Sequence, residues 1–472
     1  MKSLAKNYFL NLAYQVLIVL LPLITAPYLA RVLGAERIGE YSFAQSVVSY
    51  FALFAVLGTA LYGQRRIAMC YAKDENKRQV FTELVLLRAV SVTAAMGIYF
   101  ACIFPFAENR VLYLVAAIEI LAVAFDISWF YQGIEQFQNI TLCSGLSKLL
   151  GVVGVFTLVR TQADLELYVV LSCGAVLAGN AAQWLFLKPH LQGQGLGRLW
   201  PWQHVKPALS LFVSQFAIQA YTVLDKTMIG LITRSDAENG YYDQAQKLIR
   251  ALMAVVTSIG TVMASRIAIL WHSDKTENKS QVQEMLLFSF RLIFALSLPL
   301  TAGTVVIASR FVPIFFGEGY GPVVGLIQLL AIILPIIGCS NIIGMQLFVP
   351  SGRERLLTRS VLVGAGVNVA LNTVFISMWG ASGAALASIV AELAVTVTQM
   401  YLARKEIPLL QVARLLGRYL CFTAIVCVAG LAVGAVVGAG IASMAAIIGV
   451  CVLVYAVLLF AVKDPVLNLF SM

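Results

Sequence analysis

The chain has 472 residues, 60% of them apolar and only 12% charged, with a formal net charge of +10 and a mean hydropathy of +0.87. A soluble chain of this length and apolar content would not stay in water, so the composition excludes a soluble globular protein. The positive charge has a membrane explanation, set out below, and calls for no nucleic-acid partner.

A helix needs roughly 20 apolar residues to cross the hydrocarbon, and about fourteen stretches qualify. They are centred on residues 7–31, 41–63, 80–102, 111–133, 140–160, 166–187, 208–232, 241–270, 284–307, 321–346, 359–378, 380–402, 414–437 and 440–462. The runs are continuous rather than alternating, which predicts an all-α polytopic membrane protein and argues against a barrel. The first run is too long for a cleavable leader and continues without a small-residue cleavage site into Arg31. Between the second segment and the eighth a short pattern recurs. Gly39-Glu-Tyr-Ser-Phe-Ala-Gln45 reappears 201 residues later as Gly240-Tyr-Tyr-Asp-Gln-Ala-Gln246. An even number of segments separates the copies, so the second half enters the bilayer facing the same way as the first. A parallel pseudo-twofold repeat of this kind, with its pathway at the interface of the halves, is a transporter arrangement.

The expected organisation follows: a six-helix bundle over 1–187, a polar cytoplasmic linker over 188–207 carrying Trp200 and Trp202, a second six-helix bundle over 208–402, and two added helices with a tail over 403–472. The added pair is almost free of charge and reads as a hairpin facing lipid. Lys and Arg set the orientation. They crowd the segments expected inside, among them Arg65, Arg66, Lys73, Lys77, Arg78, Arg198, Lys206, Arg353, Arg355 and Arg404. The opposite loops hold only Arg31, Arg37, Arg110, Arg160, Arg234 and Arg310. That bias puts both termini in the cytoplasm.

Several chemistries find no support. The eight cysteines are dispersed, with no C-x-x-C, and read as small apolar residues. His190, His204 and His272 show no metal-ligand spacing, and no Walker A string occurs. The chain is therefore expected to be neither an enzyme nor a cofactor carrier. Energy would come from an ion gradient, with Na+ or H+ as the coupling ion, or from the substrate's own disequilibrium.

What stands out is charge inside segments that ought to be apolar. The cations are Arg88, Lys148, Lys226, Lys247, Arg250, Arg266, Arg291 and Arg418; the acids are Glu119, Asp126, Asp225 and Glu392. Each costs about 2.5–3.5 kcal/mol at the bilayer centre, which points to an interior or wet cavity, although those near helix ends can snorkel. Arg88 and Arg291 occupy comparable places in the two halves, 203 residues apart, whereas Asp225 and Lys226 have no charged counterpart in the first half. A cationic surplus suits an anionic substrate, and Arg presents a planar fork of donors matched to phosphate. The candidate cavity residues are Arg88, Lys148, Lys226, Lys247, Arg250 and Arg291, joined by Tyr41, Gln45, Tyr242 and Gln246 from the repeated pattern. Asn11, Gln215 and Tyr221 add further polar wall. Asp126, Asp225 and Glu392 are the ion-coupling candidates. The plainer alternative is a salt bridge of Asp225 with Lys226 or Lys247.

The runs Thr25-Ala-Pro-Tyr-Leu-Ala-Arg-Val-Leu-Gly34, Tyr62-Gly-Gln-Arg-Arg-Ile-Ala68, Asp126-Ile-Ser-Trp-Phe-Tyr-Gln-Gly-Ile-Glu135, Leu224-Asp-Lys-Thr-Met-Ile-Gly230 and Phe315-Phe-Gly-Glu-Gly-Tyr320, taken together with the second repeat copy, resemble the bacterial oligosaccharide flippases. These form the Wzx-like polysaccharide transporter branch of the multidrug/oligosaccharidyl-lipid/polysaccharide superfamily. The resemblance implies two six-helix bundles in a V around a cationic cavity and two further helices. It also implies alternating access for an undecaprenyl-pyrophosphate-linked O-antigen or other polysaccharide unit in the bacterial cytoplasmic membrane. Its implied partners are membrane lipids, a polysaccharide polymerase and chain-length machinery. One departure is Ser265, which stands before Arg266 where relatives tend to carry Pro. A cation-coupled multidrug exporter on the same scaffold is the alternative, though it should favour acidic and aromatic walls.

Overall fold

The computed structural model describes residues 2–73, 75–192, 195–258, 267, 269–271, 277–438 and 440–470. Every regular element among them is helical. This is what lipid demands, because a helix satisfies its backbone groups within one segment and needs no water. Ten separate stretches of the described residues are long and apolar enough to cross a membrane. Two of them, Tyr14–Lys73 and Glu354–Leu402, run to 60 and 49 residues, because pairs of expected segments join through a bend. The first helix, α1 (Lys2–Val56), turns at Gly34, whose φ of 78° only glycine adopts freely. After it, Leu57 and Gly58 take φ of 47° and 70° and lead into α2 (Thr59–Lys73).

The chain continues as α3 (Lys77–Cys102), then as α4 (Arg110–Ala116), α5 (Ile118–Phe125) and α6 (Ser128–Gly133), three pieces of one crossing. Next come α7 (Phe137–Leu158), α8 (Leu165–Gln183), the short α9 (Lys188–Leu191), α10 (Val205–Thr233) and α11 (Asp236–Ser258). The remainder is α12 (Glu277–Phe316), α13 (Gly321–Leu330), α14 (Ile333–Asn341) running into a π-helical turn at Ile342–Phe348, α15 (Glu354–Leu402), α16 (Leu409–Val436) and α17 (Ile441–Ala461). Within α15 the bend falls at Gly380, φ 56°.

Residue contacts divide the chain into two compact units. The first holds Met1–Gly230 and Ser235–Gly240, the second Leu231–Arg234 and Tyr241–Met472. In the first unit, Leu33, Ala44, Val48, Tyr99 and Leu112 pack into one apolar core, and Ile67, Phe81, Trp129, Phe130 and Tyr131 into another. Close helix approach depends on the repeat glycines. A Cβ on Gly39 would stand 1.6 Å from the Asp236 carbonyl oxygen, and one on Gly240 would stand 2.0 Å from that of Ala35. The glycines that open the two copies of the repeated pattern therefore lie against each other. Likewise a Cβ on Gly58 would meet the Ala208 carbonyl oxygen at 2.3 Å, so α10 packs tightly on the α1–α2 turn.

The polar stretch after α9 is docked rather than loose. Glu83 of α3 is 1% exposed. Its carboxylate accepts hydrogen bonds from the Trp200 backbone N–H (3.0 Å), Gln203 Nε2 (2.6 Å) and Gln79 Nε2 (3.2 Å). His204 Nε2 lies 2.8 Å from the same carboxylate, and its Nδ1 lies 2.9 Å from the Tyr62 hydroxyl. Gln79 Nε2 also donates to the Arg198 carbonyl at 3.2 Å, and Asn76 Nδ2 to that of Gly195 at 2.7 Å. This many donors satisfy a carboxylate that is otherwise taken out of water.

In the second unit, Val256, Phe290, Phe294, Ile343 and Phe348 form a core that also takes in Tyr419 and Phe422 of α16. The terminal hairpin exposes an apolar face, as expected of one facing lipid, and the structure adds a packed face that the sequence did not show. Tyr455 of α17 donates to the Ala295 carbonyl at 2.7 Å, Arg310 Nη2 to the Gly434 carbonyl at 2.5 Å, and the buried Tyr419 hydroxyl to Asp464 at 3.0 Å. One face of each helix is packed on α12, and only the other, with Val428, Leu431, Val452 and Leu453, is exposed. Uniform hydropathy hid this, because a core-facing leucine and a lipid-facing one read alike.

Two outcomes follow. Gly383→Ala places a Cβ 2.0 Å from the Phe375 carbonyl oxygen, an overpacking of about 1–3 kcal/mol. The melting temperature in detergent should fall for this variant and not for Gly366→Ala, where the space is open; equal melting of the two would contradict the tight approach. Glu83→Ala should release the 195–204 segment and make Arg198 susceptible to trypsin. An unchanged digestion pattern would show that the docking does not depend on Glu83.

Candidate functional site

Arg88 is the most enclosed of the expected cations among the described residues, at 2% exposure. From α3 it reaches the point where the helical ladder breaks at Asp126, ψ 107°. Its Nε donates to Thr59 Oγ1 at 2.9 Å and Nη1 donates to the Asp126 backbone carbonyl. Nη1 also lies 3.6 Å from Asp126 Oδ2. The carbonyl accepts from Trp129 Nε1 at 3.1 Å, while Asp126 Oδ1 accepts from the Ser128 N–H at 3.0 Å and restarts the chain as α6. A broken helix in the membrane leaves backbone groups without partners, and Arg88 supplies one of them. A buried Arg88 and a half-buried Asp126 are thus brought together in a pair that organises the first unit.

The remaining residues of that unit are placed separately. Lys148 Nζ stands 5.4 Å over the Tyr14 ring and Tyr41 packs edge-on to Tyr168 at 5.4 Å. Gln45 hydrogen-bonds to Glu119. Asp225 is 5% exposed on α10. The Lys226 carbonyl accepts from Asn239 Nδ2 at 2.9 Å, and Thr227 donates to Ser46 Oγ at 2.9 Å, tying α10 to α1.

In the second unit Lys247 lies 2.6 Å from Asp243 one helical turn earlier. Asp243 is a carboxylate 3% exposed. Tyr242 is buried with its hydroxyl 3.4 Å from Ser388 Oγ, Arg250 is exposed, and Glu392 is half-buried. Sequence reasoning missed Glu83 and Asp243, both buried carboxylates close to the ends of their segments. The available signal was spacing: Asp243 precedes Lys247 by four residues, the helical ion-pair interval. It also missed unpartnered polar atoms. Among the described residues of this unit, Arg291 Nε, both amide atoms of Gln244 and of Gln346, and Gln246 Oε1 are buried without a hydrogen-bond partner. Native structures hold few such groups, and each asks for a reason.

An apolar cavity of about 460 Å³ lies among α11, α12, α16 and α17, lined by Leu252, Pro299, Phe311, Val426, Val452 and Tyr455. Among the described residues its lining is apolar apart from Thr304 and Tyr455 and carries no charge. No cluster of three or more His, Cys, Asp or Glu suited to a metal occurs among the described residues. Ser265, Arg266, and the side chains of Asn11, Gln215 and Tyr221 lie outside the described residues.

Comparison with known proteins adds the family. The profile described as "Polysaccharide biosynthesis protein" matches residues 4–268. A protein of Shigella dysenteriae named "Putative O-antigen transporter" is 22% identical over 372 residues, covering 77% of this chain and 91% of that protein. One of the same name from Escherichia coli (strain K12) is 23% identical over 413 residues, covering 86% and 97%. Among solved structures, lipid II flippase MurJ in an inward closed conformation matches with a TM-score of 0.76 at 13% identity, over 96% of this chain and 100% of that one. An inward-facing MATE family multidrug transporter of the MOP superfamily matches with a TM-score of 0.63 at 12% identity, over 85% and 95%. At these identities the structural likeness carries the fold alone. By its profile match the chain belongs to the polysaccharide biosynthesis protein family, and its long apolar helices make it a multi-pass membrane protein.

Proposed function

We propose that the protein is a flippase carrying an undecaprenyl-pyrophosphate-linked oligosaccharide repeat unit from the inner to the outer leaflet of the bacterial cytoplasmic membrane. The observation that carries this reading is the set of buried donors without acceptors in the second unit, Arg291 Nε above all. A guanidinium keeps its charge when dehydrated and leaves N–H groups for an acceptor, and a pyrophosphate is an acceptor of matching geometry. The amides of Gln244 and Gln346 would serve sugar hydroxyls in the same way. The names of the two relatives point to the same class of cargo.

In this reading the donors are closed off in the present conformation and meet the substrate in a state open to one leaflet. Alternating access then moves the polar head while the polyprenyl tail stays in the bilayer. Coupling to Na+ or H+ would use buried carboxylates. Of the candidates Asp126, Asp225 and Glu392, we take Asp225, 5% exposed on α10, and Glu392, half-buried on α15, as the coupling pair. Titrating a buried carboxylate changes the relative cost of the two states and so can drive the cycle.

The test is translocation of a fluorescent undecaprenyl-pyrophosphate-linked glycan in proteoliposomes. Arg291→Ala and Lys226→Ala should each slow it roughly tenfold, the loss of one charge-assisted hydrogen bond. Rates equal to the parent protein in both variants would remove the reading's support. In the same vesicles Asp225→Asn combined with Glu392→Gln should abolish dependence on an ion gradient, and persistence of that dependence would reject the coupling pair.

A further inference from the structure

Two of the family-like runs, Tyr62–Ala68 and Asp126–Glu135, meet in the first unit without being used by the reading above. Their approach is set by glycine. A Cβ on Gly63 would stand 2.5 Å from the Trp129 ring, and one on Gly133 would stand 2.8 Å from the Gln64 carbonyl oxygen and 2.9 Å from Ile67. With both positions reduced to hydrogen, α2 lies directly on α6. Beside the contact opens a cavity of about 480 Å³ whose walls include Gln64, Arg65, Gln132 and Glu135, with Leu61 and Leu211 on its apolar side. That volume falls in the range of small-molecule pockets, about 300–1,000 Å³.

The two neighbouring arginines are treated differently. Arg66 is engaged with Glu75 at 2.8 Å, and its guanidinium holds that exposed carboxyl below the usual carboxylate range. Arg65 is exposed, lines the cavity, and makes no ion pair or hydrogen bond among the described residues. The cavity therefore offers one uncommitted guanidinium, two amides, a carboxylate on the opposite wall and two leucines. A bare anion would use the arginine but not the rest. A phosphate ester carrying hydroxyls uses all of it: phosphate on Arg65, hydroxyls on the amides and Glu135, and a hydrocarbon stem along Leu61 and Leu211. The count of positive charges by loop puts this end of the bundle at the cytoplasmic leaflet.

We propose that the Gln64–Arg65/Gln132–Glu135 cavity is a binding site for a hydroxyl-bearing phosphate-ester headgroup. It is a site separate from the translocation donors of the second unit, and its occupation does not require transport.

The test is native mass spectrometry of the purified full chain with phosphatidylglycerol or phosphatidylcholine, with glycerol 3-phosphate as the soluble competitor. The intact chain should retain phosphatidylglycerol in preference to phosphatidylcholine. Arg65→Gln should lower that retention about tenfold, the scale of one charge-assisted hydrogen bond, while the exposed Arg355→Gln in the second unit leaves it unchanged. Gln132→Ala provides a second variant on the opposite wall, and melting in detergent confirms that all are folded. Retention that resists millimolar glycerol 3-phosphate supports a lipid source; displacement by it supports a soluble phosphate ester at the same site. Equal retention by the Arg65→Gln variant, or no preference between the two lipids, overturns the proposal. No gradient and no lipid-linked saccharide enter this assay, so its failure would leave the translocation reading where it stands, and failure of translocation would leave this site intact.

Discussion

The pair of Arg88 with Asp126 is the interaction on which the first unit depends. Taking a guanidinium into the membrane is expensive, and it becomes tolerable only where its donors meet acceptors. Here Nε and Nη1 meet Thr59, the Asp126 carbonyl and the Asp126 carboxylate, while Nη2 is buried without an acceptor, and the carbonyl is itself one of the groups freed by the break between α5 and α6. Each defect answers the other. Because the break is held, Trp129 lies over Gly63 and Gly133 over Gln64, and the 132–135 turn stands opposite α2. The cavity beside Arg65 is thus a consequence of a charge pair on the far side of the same contact.

The embedded charges sort by partner rather than by depth. Arg88 has Asp126, Lys247 has Asp243, and Glu83 has His204 together with three hydrogen-bond donors. These groups hold helices and a connecting segment in place. Arg291 keeps a buried Nε with no acceptor, and Gln244 and Gln346 keep whole amides. Desolvated donors without acceptors weaken a fold unless something else supplies the acceptor. In the flippase reading proposed above, the substrate's polar head would supply that acceptor in another state of the cycle.

Much of the architecture was legible because the bilayer simplifies it. Continuous apolar runs mark helices, and the repeated G-x-Y-x-x-A-Q pattern marks two copies whose leading glycines, Gly39 and Gly240, then prove to touch. The bends at Gly34 and Gly380 were not legible, since a glycine in an apolar run does not announce a positive φ. Nor was the packing of α16 and α17. The charge partners were least visible: Arg88 and Asp126 are separated by 38 residues, and Glu83 and His204 by 121. No local pattern records pairings made only by the tertiary fold. The exception is Asp243 with Lys247, an interval of four on one helix.

The most direct measurement of this account is a double-mutant cycle on the full chain in detergent, with Arg88→Gln, Asp126→Asn and the combined variant followed by thermal unfolding. If the pair organises the first unit, Asp126→Asn strands the buried Arg88 and costs about 3 kcal/mol or more, Arg88→Gln is destabilising through the lost bonds to Thr59 and the Asp126 carbonyl, and the second change adds little to the first. Costs that simply add, within about 0.5 kcal/mol, would mean that the two residues act independently. The break at Asp126 would then need another support.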